Sequence, residues 1–251
     1  MTVILLRHGR STSNTAGTLA GRSEGVDLDD KGREQAVGLI DRIGDLPIRA
    51  VITSPLLRCR RTVEPLAEAL CLEPLVEDRL AEVDYGEWTG RKIGELAKEP
   101  LWRVVQAHPS AVRFPGKDAE SMPEVQHRAV NAVREWNTRL GKDAVYLICS
   151  HGDVIKAVIA DSLGLHLDLS QRIQVDPCSL SVIRYTPLRP FLVRMNDTGR
   201  TAAGLARPHD AGAGAGKAAA NGGAPQQASA EAASRPLFGE GDAAIGGGAG
   251  G

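Results

Sequence analysis

Val3-Ile4-Leu5-Leu6-Arg7-His8-Gly9 and Val145-Tyr146-Leu147-Ile148-Cys149-Ser150-His151-Gly152 are two versions of one junction. Each is a short, unbroken apolar run that ends in a histidine and a glycine. An apolar run without polar alternation reads as a strand buried on both faces. Working outward, Ala50–Thr53 is a third such run, and 181–185 and 191–194 read as final strands. Between them lie stretches of helical period. Asp29 to Asp45 carries Ala36, Leu39, Ile40 and Ile43 and ends at Gly44. Val63, Leu66, Ala67 and Leu70 trace a second helix face. Val125, Ala129, Ala132, Val133, Trp136 and Leu140 trace a longer one, closed by Gly141, and Val154, Ile155, Val158 and Ile159 form the next. Strands alternating with helices predict an α/β domain with a mainly parallel central sheet and helices on both faces.

The pattern stops near residue 200. Of the 51 positions from Thr201 to Gly251, 30 are Ala or Gly, and only Leu205, Leu237, Phe238 and Ile245 are large and apolar. Such a segment buries too little surface to offset its ordering entropy. The expected organisation is one domain over residues 1–199 and an Ala/Gly-rich disordered tail over 200–251. The chain of 251 residues has 42% hydrophobic and 24% charged residues and a net charge of −1. That balance recruits neither nucleic acid nor an anionic membrane. No apolar stretch is long enough for a spanning helix, and the N-terminal run is too short for a signal-peptide core. Four scattered cysteines (Cys59, Cys71, Cys149, Cys178) show no CxxC spacing, so reduced thiols and a cytoplasmic location are expected.

Function enters through the strand ends. Ligand sites in open α/β sheets form outside the carboxyl ends of the strands. Two parallel neighbours would bring His8 and His151 to one edge, and the helix starting near Asp153 would aim its N-terminal dipole there. The Ala50–Thr53 strand runs into Ser54-Pro55-Leu56-Leu57-Arg58 and delivers Arg58 just past its end. Arg7 and Arg58 offer planar forks that match phosphate or carboxylate, and Ser11 and Asn14 can add neutral donors. Arg60 and Arg61 read as solvated. Two arginines repel a divalent cation and no acidic cluster has metal-ligand spacing, so neither a metal nor another cofactor is expected. A lone His-Gly would more often be a packed core histidine than a catalyst; two, each at a strand end, favour chemistry.

Five segments then carry a resemblance. Leu6-Arg7-His8-Gly9-Arg10-Ser11-Thr12-Ser13-Asn14 resembles the RHG signature of the histidine phosphatase superfamily, which includes the cofactor-dependent phosphoglycerate mutases. Leu28-Asp29-Asp30-Lys31-Gly32-Arg33-Glu34-Gln35-Ala36, Ser54-Pro55-Leu56-Leu57-Arg58-Cys59-Arg60-Arg61-Thr62, Leu80-Ala81-Glu82-Val83-Asp84-Tyr85-Gly86-Glu87-Trp88-Thr89-Gly90 and Ser150-His151-Gly152 are similar to its later motifs, in order. The resemblance spans about residues 3–195. It implies a phosphoglycerate mutase-like fold, His8 as the nucleophile that becomes phosphohistidine, and Arg7, Arg58 and His151 as the phosphoryl-binding groups. It implies Glu82 as the proton donor, ahead of Asp84 and Glu87, and puts Ser11 and Asn14 at the pocket's edge. A protonated His151 and the Gly152 amide would complete the cradle. Arg7 and Arg58 should depress the pKa of His8, and its second nitrogen should donate to a backbone carbonyl.

The expected reaction is hydrolysis of a small phosphomonoester without metal. A mutase of the same family is the alternative, and a non-catalytic phospho-ligand module a second one. Family mutases place Arg-His after the acid and carry an Arg-Arg pair in a longer insertion, whereas this chain has Val83-Asp84 and no such pair between Gly90 and Val145. The module would lack His8 or Glu82, and both are present. A nucleotide-binding protein would need G-x-G-x-x-G or G-x-x-x-x-G-K-[ST], and neither occurs. Substrate specificity is expected in residues 85–125. Trp88, Trp102 and Phe114 there read as core or as an apolar substrate wall, and Arg10 as substrate-binding or solvated.

Overall fold

The computed structural model describes residues 1–199. The expected disordered tail, 200–251, lies outside the described residues. Six strands form one sheet: β1 (Thr2–Arg7), β2 (Ile48–Thr53), β3 (Leu75–Val76), β4 (Val145–Ser150), β5 (Leu180–Tyr185) and β6 (Pro190–Asp197), in the order β3-β2-β4-β1-β5-β6. Pairs β3·β2, β2·β4 and β4·β1 are parallel, and β5 runs antiparallel to both β1 and β6. The sheet is mainly parallel, as expected.

The helices are α1 (Thr12–Thr15), α2 (Asp30–Val37), α3 (Leu39–Ile43), α4 (Leu57–Ala69), α5 (Ile93–Leu96), α6 (Pro100–Ala107), α7 (Met122–Leu140) and α8 (Gly152–Ser162). The expected single helix over 29–45 is two, α2 and α3, meeting at Gly38. A glycine there weakens the helix interior and lets the chain re-aim Leu39 and Ile43 into the core. Gly44 ends α3 in an ordinary right-handed conformation, whereas Gly141 ends α7 at φ +78°.

β1 explains why the strand signal is unbroken. Val3 and Leu5 point into one apolar layer with Val133 and Ala129 of α7 and Ile155 and Ile159 of α8. Ile4 and Leu6 point into the other, with Leu39, Ile43, Val63 and Leu66. Period-two alternation is present but both faces are dry, so no polar residue marks it. Each such side chain contributes about 1.5–3 kcal/mol by burial. α8 carries no one-sided stripe: nearly every residue from Gly152 to Ala160 is buried, Asp153 and Lys156 included. Trp88, Phe114 and Trp102 form a ring cluster with centroids 5.6 and 6.3 Å apart, and Trp88 and Phe114 are buried in the α7–α8 layer.

Candidate active site

Because β2, β4 and β1 are consecutive in the sheet, their carboxyl ends lie side by side. The register pairs Arg7 with Ser150, so His8 and His151 leave adjacent strands at the same level. Their ring centroids are 5.2 Å apart. The β1 end is pinned from several directions. His8 N–H donates to Ser150 O (3.0 Å), and the N–H of Cys178 donates to Arg7 O (3.1 Å) and His8 O (3.0 Å). Cys178 reaches both from a left-handed conformation, φ +59°, which a non-glycine residue adopts only when its surroundings demand it. The N–H of Gly9 donates to Thr62 Oγ1 (2.9 Å), which in turn donates to Arg58 O (2.6 Å), tying β1 to α4. Gly9 is needed for close approach rather than for a special φ: a Cβ there would meet Gly32 O at 2.8 Å.

His8 Nδ1 lies 2.8 Å from Gly9 O. A carbonyl only accepts, so Nδ1 carries the hydrogen and Nε2 keeps its lone pair. Burial, then Arg58 and Arg7, hold the imidazole well below its ordinary range; the Gly9 bond opposes them. Arg58 stands in the first turn of α4, fully buried. One terminal nitrogen, Nη2, donates to Gly21 O (2.8 Å), which Gly21 presents from φ +49°. The other, Nη1, is buried without a hydrogen-bond partner. An unsatisfied buried donor on a cation costs at least about 1–3 kcal/mol, and such a group is the expected signature of a site built for an anion. Arg7 donates to Val175 O (2.8 Å), and burial is the main effect lowering its pKa.

His151 is the N-cap of α8 and wholly buried. Its Nε2 lies 2.8 Å from Ser54 Oγ, and its Nδ1 3.8 Å from Glu82 Oε2. Burial, then Arg58 and His8, push its pKa well below the ordinary value, which favours the neutral ring in the site without a phosphoryl group. Gly152 opens α8 beside it, so its N–H is at the helix's positive end.

Glu82 is buried, and Val83 N–H donates to its Oε1 (3.0 Å). Burial and the charge of Asp153 raise its pKa to about 7, against the pull of Arg58. The main-chain position of Glu82 is fixed by Arg128 of α7, whose guanidinium donates to Arg79 O (2.6 Å), Ala81 O (2.8 Å) and Glu82 O (3.2 Å) and pairs with Glu120 (2.7 Å). Asp84 instead accepts from Gly86 N–H and faces Arg22, and Glu87 is exposed. Neither lines the pocket.

Ser11 and Asn14 both line the pocket, and Ser11 Oγ donates to Asn14 Oδ1 (2.8 Å) in a reciprocal helix cap. The pocket mouth departs from expectation in two ways. Arg10 pairs with Asp29 (2.6 Å), the N-cap of α2, and takes no part in the pocket. Most of the wall is the 11–21 loop; from the 85–125 segment it takes Tyr85 and Ile93. Arg60 is exposed, and Arg61 pairs with Glu64 on the surface. The sequence reading missed Ser54, Thr62, Arg128 and the pair of Tyr85 and Asp153. Their signal was polar residues inside otherwise apolar stretches, which periodicity alone does not assign.

The histidine phosphatase superfamily (branch 1) matches residues 3–198. The chain is 34% identical over 182 residues to a probable phosphoglycerate mutase GpmB of Erwinia tasmaniensis, covering 71% of this chain and 82% of that one. It is 31% identical over 199 residues to phosphoserine phosphatase 1 of Hydrogenobacter thermophilus, covering 78% and 92%. A mycobacterial glucosyl-3-phosphoglycerate phosphatase superposes with a TM-score of 0.70 at 24% identity, over 78% of this chain and 98% of that one, and shows the shared fold. The chain belongs to the histidine phosphatase superfamily and is an enzyme of the phosphatase type.

Proposed function

We propose that the protein is a metal-independent phosphomonoester phosphatase that works through a phosphohistidine on His8 and acts on small phosphorylated metabolites. The observation that carries this reading is the pairing of an unprotonated, pocket-facing His8 Nε2 with an unpartnered Arg58 Nη1. His8 Nε2 attacks phosphorus in line as the ester P–O bond breaks. The departing alkoxide takes the proton of Glu82. Glu82, now a carboxylate, takes a proton from water, whose oxygen attacks phospho-His8 and releases inorganic phosphate. Arg7, Arg58, His151 and the Gly152 N–H face the charge that spreads over the phosphoryl oxygens. A phosphoryl dianion would favour the imidazolium of His151, giving it the charged form only when substrate is bound. Asn14 meets the leaving group at the mouth.

Hydrolysis is favoured over phosphoryl exchange between substrate positions because cations within two residues of the pocket lining are already engaged. Arg10 is held by Asp29, Arg22 by Glu82 O (2.9 Å) and Glu120 (2.9 Å), Arg91 by Glu99 (2.8 Å), and Lys92 donates to Ala16 O (2.8 Å). A second anionic group of a mutase substrate would have to break one of these. The similarity to GpmB keeps the mutase as the competing reading. Four free thiols fit an enzyme of a reducing compartment such as the cytoplasm, and no described helix is long and apolar enough to cross a membrane.

The test is a quench in alkali of the enzyme with 32P-labelled phosphomonoester. An acid-labile, alkali-stable label is expected on the wild type and none on His8→Ala, with turnover unchanged by EDTA. Loss of activity in EDTA would overturn the arginine-based cradle, and interconversion of 2- and 3-phosphoglycerate faster than phosphate release would make the chain a mutase.

A further inference from the structure

Beneath the pocket lies a second polar group that the reaction above does not use. Asp153, at the second position of α8, is buried. Its Oδ2 accepts from the Tyr85 hydroxyl at 2.7 Å, and its Oδ1 lies 3.4 Å from Lys156 Nζ, one turn along the same helix. Lys156 is also buried and donates to Gln171 Oε1 at 3.0 Å. Tyr85 lines the pocket with Glu82, three residues before it.

We propose that Asp153 is a positioning residue for the reaction: its charge, fixed by Tyr85, Lys156 and the N-terminus of α8, keeps the reactive proton on Glu82. The inference rests on the reading of Glu82 as general acid. Two carboxyl groups in one dry region do not both ionise cheaply, so the proton stays on the one with the poorer environment for charge. Asp153 has a cation, a phenol donor and a helix N-terminus. Glu82 has one backbone donor, with the charges of Arg58 and Arg7 outweighed by its burial and by Asp153. The phenol of Tyr85 is held well above its ordinary range by burial, then by Asp153 and Glu82, so it remains a donor. Lys156 offsets the cost of burying the Asp153 charge. The groups acting electrostatically on this region are Arg7, Arg58, Arg128, Asp176 and the two neutral histidines. With Glu82 protonated, Arg7, Arg58 and Lys156 against Asp153 leave two positive charges in excess, which is the charge a phosphoryl dianion needs.

The measurement is the pH profile of kcat on an alkyl phosphate such as glycerol phosphate, with p-nitrophenyl phosphate, whose leaving group needs no proton, as the control. In Asp153→Asn the alkaline limb moves down by about one pH unit, so the alkyl substrate is about tenfold slower above the limb while the aryl one changes little. Tyr85→Phe removes the hydroxyl that fixes the Asp153 carboxylate and shifts the limb the same way by less; it carries the test if Asp153→Asn fails to fold. A limb that stays in place in these variants while melting temperature falls makes the cluster purely structural and overturns the inference. Glu82→Gln on the same two substrates separates the causes. If it slows both equally, the acid reading fails and takes this inference with it; if it discriminates and the limb still does not move, this inference fails alone.

Discussion

The two His-Gly junctions are alike in sequence and unlike in what surrounds them. At the end of β1, His8 faces the pocket with Nδ1 spent on its own neighbour's carbonyl. At the end of β4, His151 is sealed under the pocket, with Ser54 on one nitrogen and Glu82 near the other. A strand end and a glycine put both rings in place. The difference is supplied by residues far along the chain, so the local motif fixes position while the tertiary contacts suit the two rings to the separate roles proposed for them, nucleophile and electrostatic partner.

The sharpest way to break that division is to remove each ring. His8→Ala should lower turnover by about 10⁵-fold or more, because it removes the group proposed to carry the phosphoryl unit. His151→Ala should cost about 10²–10³-fold, the scale of one preorganised donor to developing charge, and should still accumulate labelled phosphoenzyme from an aryl phosphate. Labelled His8→Ala protein would show that the two roles are exchanged.

Glu82 tests the same comparison from the space between the rings. Glu82→Gln should slow alkyl phosphates by about 10²–10⁴-fold and p-nitrophenyl phosphate far less. The wild-type rate on alkyl substrates should fall as pH rises through about 7, where Glu82 loses its proton. Stability follows a linked course. A carboxyl whose folded pKa is about 7, against an ordinary 4.5, destabilises the fold progressively as pH rises between those values. Glu82→Gln should therefore melt higher than wild type at pH 8, by at most about 3 kcal/mol. His8 and His151 act at the other end: both are lowered from 6.5, so stability falls as pH drops below that value. Denaturant melts of wild type and variant across pH 5–9 check all three signs, and a Glu82→Gln protein no more stable at pH 8 would contradict an acid held neutral by burial.

What was readable beforehand follows the same line. Continuous apolar runs mark β1, β2 and β4 because burial on both faces leaves no other pattern, and the strand ends then locate Arg7, His8, Arg58 and His151. The antiparallel return of β5 beside β1 had no local signal, since parallel and antiparallel strands buried alike look alike. The break of the 29–45 helix hung on Gly38, which an uninterrupted apolar period concealed. Tyr85 and Asp153, 68 residues apart, meet only once α8 is packed on the sheet. Arg128 is an isolated cation in the sequence, yet it holds three carbonyls of the segment that carries Glu82. Periodicity reports which face is dry; it does not report which buried polar group will find which partner.

The smallest effect comes from Ser54, which touches one junction and leaves the other alone. Its hydroxyl is 2.8 Å from His151 Nε2 and accepts the N–H of Leu56 at 3.3 Å, where the chain turns from β2 into α4. Ser54→Ala should slow turnover by about tenfold, the worth of roughly one buried hydrogen bond. The loss should fall on kcat with aryl and alkyl phosphates alike, because the role proposed for His151 lies with the phosphoryl oxygens and not with the leaving group. It should leave the alkaline limb set by Glu82 where it is. A selective loss on alkyl substrates would mean that Ser54 and His151 serve the proton donor, and the separation between the two histidines would then be one of distance from the pocket rather than of chemical task.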